Sequence, residues 1–378
     1  MTRPRARISV ELVAIRHNVE TLARLVAPSA LMVVVKADGY GHGMLPVARA
    51  AREAGAPWLG VATIDEALQL RREGDTGRLL CWLTVPGEDY DTALRDDVDV
   101  TAYALAELAE IAAAAERTGV MARVQLKVDT GLSRGGAPTA IWPDVVEEAR
   151  RLEIAGLLSI TGIWSHFAAS DEPDHPANDA QQKVFDEALD IAHDAGLRPE
   201  VRHLANSAAA ILRPGARYDL VRCGIAAYGL DPAPGRTPDL GLVPAMTVRA
   251  QLAMVKPLRA GESVSYGHTW TADRDTTVGL VPIGYGDGIP RHASNRAHVE
   301  VAGRLRPVRG RVCMDQFVVD LDGDLPEAGD DVIVFGPGTM SEPTAQDWAE
   351  AADTINYEIV TRVGGRMPRV YVDEGGTS

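Results

Sequence analysis

The chain has 378 residues, 46% hydrophobic and 24% charged, with 38 basic against 53 acidic side chains and a net charge of -15. That length exceeds one ordinary core and predicts two domains, and the acidic balance argues against nucleic acid or an anionic membrane as partner. Three scattered cysteines, Cys81, Cys223 and Cys313, include no C-x-x-C pair, which argues against a disulfide framework or a zinc site; no metal is expected.

The N-terminal MTRPRARISVELVAI carries basic residues with no long apolar run behind them, so no secretory signal is read. No stretch approaches the ~20 apolar residues of a transmembrane helix, and the expected location is the cytoplasm. Leu12, Ile15, Val19 and Leu22 then share one helical face, with Pro28 beyond it. Eight β-rich runs follow, at 31–39, 58–63, 79–84, 98–104, 123–131, 160–168, 201–207 and 220–229. Amphipathic segments lie between several of them. Leu105, Leu108, Ala109, Ala112 and Ala115 recur at helical spacing before Gly119. Val184, Ala188, Ile191, Ala192 and Ala195 do so before Gly196. The spacing alone allows an open doubly wound sheet. The count of eight, with no Gly-rich dinucleotide loop after the first strand, favours an α/β fold of the closed (β/α)8 TIM-barrel kind.

After the Pro- and Gly-rich DPAPGRTPDLGLVP (231–244) the pattern changes. Val248, Ala250, Leu252 and Met254 alternate with polar residues, and short strands are read at SVSYG, TTVGLVPIGYG, HVEVAG, RVCMDQFVVDL and DVIVFG. One helix is expected from about Thr344 and another near Tyr357, ended by Gly364-Gly365. The expected organisation is a barrel over 1–240 and a mainly antiparallel β domain over 241–378.

Barrel chemistry belongs at the C-terminal ends of strands. Lys36 closes the first apolar run, Lys127 and Asp129 the fifth, His166 the sixth, Asn206 and Ser207 the seventh, and Arg222 lies on the eighth before Gly224. A lysine behind five apolar residues is costly to bury as a cation, and a depressed pKa is what a Schiff-base lysine needs. Lys36 also fits a strand-end lysine reaching solvent. Arg222 fits a structural ion pair, and His166 and His203 fit hydrogen-bonded core histidines. The loops after strands seven and eight often bind phosphate. Here they offer Ser207 and the backbone of Gly224-Ile225, although Ser207 also suits a helix cap.

At these residues a resemblance becomes specific. VVVKADGYGHG (33–43) is similar to the pyridoxal-phosphate (PLP) lysine motif of bacterial alanine racemases. The likeness continues through LKVDTGLSRGG, SHFAASDE, HLANSAA, DLVRCGIAAYGL, SYGHTW, GYGDGIPR, RVCMDQFVVD and NYEIVTRVGGRMPRVY. ADGYGHG and TGLSRGG depart from the commonest spellings only at small residues. The resemblance implies a barrel-plus-β-domain homodimer with active sites shared between subunits, and racemisation of alanine by two bases, Lys36 and Tyr266, to supply D-alanine for peptidoglycan. It places PLP on Lys36. Tyr40, Ser207, Tyr357 and the backbone of Gly224 and Ile225 would hold the phosphate, with Asn206 beside them. Arg222 would face the pyridine nitrogen, buttressed by His203, and His166 would lie near the ring. Arg134 would orient the substrate carboxylate. Tyr266 and the Met314 backbone would come from the partner's second domain, and Tyr285 and Tyr357 would narrow the entrance. Lys127 matches a lysine often carbamylated in the family, where the new carboxylate pairs with Arg134. A PLP-dependent decarboxylase of similar architecture would carry an acidic residue in place of Arg222. A Schiff-base aldolase would not need the second-domain tyrosines, and a non-catalytic PLP-binding module would lack residues 240–378.

Overall fold

A computed structural model describes residues 4–373. The outermost residues of the expected domains, 1–3 and 374–378, lie outside the described residues, including the first three of the segment read for a signal.

Eight parallel strands form the barrel: Ala30–Val34, Trp58–Val61, Arg78–Cys81, Asp99–Ala102, Ala122–Asp129, Leu158–Trp164, Val201–His203 and Leu220–Cys223. Seven parallel pairings link them, with the eighth strand beside the first. Backbone bonds from Asp219 N–H to Arg202 C=O (3.1 Å) and from Arg222 N–H to Ala205 C=O (3.0 Å) tie the seventh strand to the eighth, so the barrel nearly closes. Each strand is shorter than its apolar run, because the C-terminal end of the run leaves the ladder to build the barrel mouth. Val34 ends the first strand two residues before Lys36.

Alternation sorts the side chains. Leu31 and Val33, and Val124, Leu126 and Val128, pack outward under the helices. Met32, Trp58, Leu80 and Leu220 form a separate cluster, and each fully buried side chain of this kind contributes about 1.5–3 kcal/mol. Period two puts Gln125 and Lys127 on the face opposite to Val124 and Leu126, toward the barrel interior.

The helix Leu105–Thr118 buries Leu108, Ile111, Ala112, Ala114 and Ala115, and Gly119 caps it in the left-handed region. The helix Ala177–Asp194 is rotated from its expected face: it buries Gln181, Phe185, Ala188 and Ala192 and leaves Ile191 outside. The polar Gln181 belongs inside because its amide accepts from Ala168 N–H (2.8 Å) and donates to Thr130 Oγ1 (3.2 Å) and His166 C=O (3.0 Å). It ties down the loop that carries His166.

The second domain is a nine-stranded, mainly antiparallel sheet with its own core. Met246–Gln251 buries Met246, Val248 and Ala250 as the alternation predicts, but Met254 begins a new strand and is exposed. Ala345–Ala352 starts from a Thr344–Asp347 capping box, and Asn356–Arg362 carries Tyr357. The chain's first strand, Ala6–Glu11, pairs antiparallel with Met246–Gln251 and parallel with Arg369–Val372. It lies in this sheet, not in the barrel, although it falls inside the extent 1–240. Its strict alternation of buried Ala6, Ile8 and Val10 with half-exposed neighbours suits a one-sided sheet. Among the described residues no helix is long and apolar enough to cross a membrane.

Candidate active site

A cavity of about 420 Å³ opens at the C-terminal mouth of the barrel. Its walls bring together Lys36, Tyr40, Lys127, Arg134, His166, Asn206, Ser207, Arg222, Gly224, Ile225 and Tyr357, all named from the sequence. The sequence reading missed Trp82, Trp164 and Thr361, which line it too. Signals for them existed. Trp82 and Trp164 stand at the mouth end of the third and sixth strands, and Thr361 is one helical turn beyond Tyr357.

Four lining side chains are cationic, Lys36, Lys127, Arg134 and Arg222, and among the described residues no aspartate or glutamate lines the wall. In a chain of net charge -15 this is a local reversal that selects an anion. Burial lowers the pKa of Lys36, and Arg134 lowers it further, while Glu66 opposes them. The amine is therefore easier to deprotonate than a lysine in water.

Lys36 is followed by an unusual turn. Ala37, Asp38, Gly39 and Tyr40 all have left-handed backbones, with φ of 52°, 52°, 61° and 51°. Each non-glycine residue there costs roughly 1–2 kcal/mol, so the surroundings must hold it. Glu66 Oε1 accepts from Ala37 N–H (2.7 Å), and Asp38 Oδ1 accepts from Met44 N–H (2.9 Å). From the second domain, Arg369 Nε donates to Gly41 C=O (2.8 Å) and its Nη2 pairs with Asp38 Oδ2 (3.1 Å). The turn aims Tyr40 at Gly224, where a Cβ would come within 2.3 Å of the Tyr40 hydroxyl, so any larger residue would have to displace that side chain. Arg369→Ala should cost about 1.5–3 kcal/mol, the range for hydrogen bonds to charged groups. Urea unfolding checks this, and an unchanged midpoint would remove Arg369 from the clamp.

The helix after the seventh strand begins at Ser207, yet Asn206 caps it, accepting from Ala209 N–H (3.1 Å). Ser207 is thereby free of the capping role the sequence allowed, and its hydroxyl accepts from Gly224 N–H (2.9 Å). The hydroxyls of Ser207, Tyr40 and Tyr357 and the Ile225 N–H thus lie on one wall, with the Gly224 N–H engaged by Ser207.

Arg222 is buried and ion-pairs with no carboxylate among the described residues. Its Nη1 donates to His203 Nδ1 (2.9 Å), and its Nη2 faces Ser165 C=O (2.8 Å), Leu204 C=O (3.0 Å) and His166 Nδ1 (3.1 Å). A guanidinium only donates, so both histidines present unprotonated Nδ1 atoms to it. Burial, then Arg222, pushes both imidazoles well below their usual range, so both are neutral. His203 does not line the cavity. It stands behind Arg222, stacked on Trp164 at 5.5 Å.

Lys127 lies over the Trp164 ring, 4.7 Å from its centroid, and burial, Arg134 and Arg222 push it down to about 8. An unfolded chain keeps this proton to ~10.4. Between those values the unfolded state binds more protons, so stability rises with pH, and the full penalty stands below pH 8. In carbonate-free buffer, Lys127→Met should stabilise the protein at pH 7 by on the order of 1–3 kcal/mol and flatten that rise. Parallel wild-type and variant urea titrations at pH 7 and above pH 10 check both signs.

Tyr266, Tyr285 and Met314 do not line this cavity; they are 68%, 44% and 54% exposed on the second domain. The segments that carry them are nevertheless bonded to one another. Tyr285 N–H donates to Cys313 C=O (3.0 Å) and Gly286 N–H to Met314 C=O (2.9 Å). Ser265, before Tyr266, donates to Arg311 C=O (2.5 Å) and meets Cys313 Sγ at 3.4 Å.

A barrel with an appended β domain, whose mouth holds a buried arginine and a lysine of lowered pKa in a pocket without carboxylates among the described residues, defines a class of enzymes that anchor an anionic group beside an amine. The chain belongs to the alanine racemase family. The family profile "Alanine racemase, N-terminal domain" matches residues 10–232, and "Alanine racemase, C-terminal domain" matches 245–371. The alanine racemase of Streptomyces coelicolor is 54% identical over 98% of this chain and 96% of its own, and that of Thermobifida fusca 53% over 97% and 98%. A crystal structure of alanine racemase from D-cycloserine-producing Streptomyces lavendulae superposes with a TM-score of 0.97 at 51% identity, covering 99% of this chain and 98% of that one.

Proposed function

We propose that this chain interconverts L-alanine and D-alanine in the cytoplasm, with PLP held in the Lys36 cavity, and so supplies D-alanine for peptidoglycan. The observation that carries the reading is the carboxylate-free, four-cation pocket around Lys36, in a chain about half identical to proteins named alanine racemase. The donor set fits PLP. Ser207, Tyr40, Tyr357 and the Gly224-Ile225 backbone suit a phosphate, the Ile225 N–H directly and the Gly224 N–H through Ser207, whose hydroxyl accepts from it and so turns its own proton outward. Lys36 suits an aldehyde carbon, and Arg222 suits a ring nitrogen that needs a donor.

When bound, the cofactor withdraws electrons from the substrate α-carbon and makes its proton removable. Lys36 carries a proton on one face of that carbon. Tyr266 of a second copy carries one on the other, because a single base tends to return the proton to the face it came from. Arg222 stays charged and could not exchange a proton with a ring nitrogen held against it. That limits electron drift into the ring and favours return of the proton to the α-carbon. Arg134 orients the substrate carboxylate, the Met314 backbone of the second copy lies beside it, and Tyr285 with Tyr357 narrows the entrance to a small side chain. Lys127, with its lowered proton affinity, adds CO2 through its neutral amine, forming the N–C bond and releasing one proton to solvent, and the carbamate's new carboxylate pairs with Arg134. Carbon-13 bicarbonate should give a carbamate NMR signal that Lys127→Met lacks.

Chiral chromatography of the purified protein with L-alanine in heavy water tests the reading. D-alanine carrying deuterium at the α-carbon is expected; deuterated L-alanine with no D-alanine, or an amine product, would contradict it. Ser207→Ala should weaken PLP binding by about tenfold or more, the effect of losing one hydrogen bond to a charged group, with the fold intact.

A further inference from the structure

Behind Arg222 a line of buried polar groups crosses the barrel interior toward its base. His203 Nε2 lies 2.7 Å from Gln125 Oε1, and Gln125 Nε2 lies 3.4 Å from Asp99 Oδ2. Asp99 accepts from Arg78 Nη2 (2.9 Å), Arg123 Nε (2.6 Å) and Thr161 Oγ1 (2.8 Å). His203, Gln125 and Asp99 are each fully buried. The barrel makes room for this line. A Cβ on Gly162 would lie 2.7 Å from both the Gln125 amide carbon and its oxygen.

The donors and acceptors run in one direction. A carboxylate only accepts, so Asp99 turns the Gln125 NH2 toward itself and the amide oxygen toward His203. That oxygen needs a donor, so His203 carries its proton on Nε2. Nδ1 is then the acceptor that Arg222 requires. Reversing any member would set N–H against N–H beside a buried guanidinium, leaving buried donors unpaired at roughly 1–3 kcal/mol each.

We infer that Gln125 and Asp99 are positioning residues for Arg222: anchored to Arg78 and Arg123 at the base of the barrel, they fix the His203 tautomer and through it the guanidinium at the floor of the site. The tautomer follows from the hydrogen bonds alone. Its consequence for turnover rests on the reading of Arg222 given above.

Nitrogen-15 NMR of the histidine-labelled holoenzyme tests the tautomer, with steady-state kinetics on the same samples. Wild type should show His203 protonated on Nε2 only. Asp99→Asn supplies a donor where only an acceptor stood, lets the Gln125 amide turn, and should populate the Nδ1–H form. It should lower kcat by about tenfold to a hundredfold, the scale of a displaced reacting group, with KM for alanine changed far less. Gln125→Met, which leaves Nε2–H without an acceptor, should lower kcat likewise. Thr161→Val removes a bond to Asp99 outside the line and should keep both the tautomer and kcat. Wild-type His203 protonated on Nδ1, or on both nitrogens at neutral pH, would overturn the inference without any variant. So would Asp99→Asn and Gln125→Met matching Thr161→Val. A correct tautomer in a protein that does not racemise alanine would instead sink the proposed function and leave the line of hydrogen bonds standing.

Discussion

Lys36→Ala is expected to abolish the covalently held cofactor chromophore and to lower racemisation by on the order of 10⁴-fold, the upper end for a positioned acid–base group. Two features make the effect large. Lys36 sits at the start of a left-handed turn fixed by Glu66, Asp38 and Arg369, so no neighbouring side chain moves into its place. The other lysine of the pocket, Lys127, lies on the fifth strand over Trp164, hemmed by Arg134 and Arg222. It cannot substitute without leaving that ring. A purely structural lysine would give a different pattern, with lost stability and no chemical rescue. Added methylamine should restore part of the turnover of Lys36→Ala, because a small amine can enter the vacated volume and carry the proton. Retention of the chromophore, or of full activity, would show that another group holds the cofactor.

Tyr266→Phe is the second large effect. The ring is 68% exposed in the single chain, so deleting its hydroxyl should leave the fold and the cofactor untouched. Turnover of L-alanine should nevertheless fall by roughly 10²-fold or more. The variant should still exchange deuterium into one enantiomer, because Lys36 continues to serve its own face of the α-carbon, but it should not invert. Stopped-time NMR of both enantiomers in heavy water separates exchange from inversion. Inversion at the wild-type rate would exclude Tyr266 as the second base.

How far the sequence carried these conclusions depends on the kind of residue. The barrel was legible because eight apolar runs alternate with helical periodicity, whereas a lysine after LMVVV fits a strand end reaching solvent as well as a Schiff-base amine, and the surrounding VVVKADGYGHG motif pointed to the second. Arg222 and Ser207 were visible as polar residues at strand ends. Their competing readings fell to geometry: Asn206 took the cap, and Arg222 found imidazole and carbonyl acceptors in place of a carboxylate. Other features were hidden for physical reasons. The strand Ala6–Glu11 pairs with partners about 240 and 360 residues away, and local pattern carries no record of such pairing. The left-handed turn at 37–40 is held in part by Arg369 from the far end of the chain. Gln125 looks like an ordinary polar residue in a strand until period two places it inside the barrel, one step below Lys127, facing His203. The face of Ala177–Asp194 was misjudged because apolar counting favours Ile191 over Gln181, whose amide ties down a loop.

On the proposed mechanism, Lys36 and Tyr266 meet only between two copies of the chain. Mixing inactive Lys36→Ala protein with inactive Tyr266→Phe protein, after reversible dissociation, tests it most directly. In a two-fold dimer with shared sites, half of the mixed population is hybrid and each hybrid holds one intact site. Activity should therefore return to roughly a quarter of wild type. If the mixture stays as inactive as its parents while hybrids are shown to form, the two residues do not meet across a dimer and the shared site is wrong.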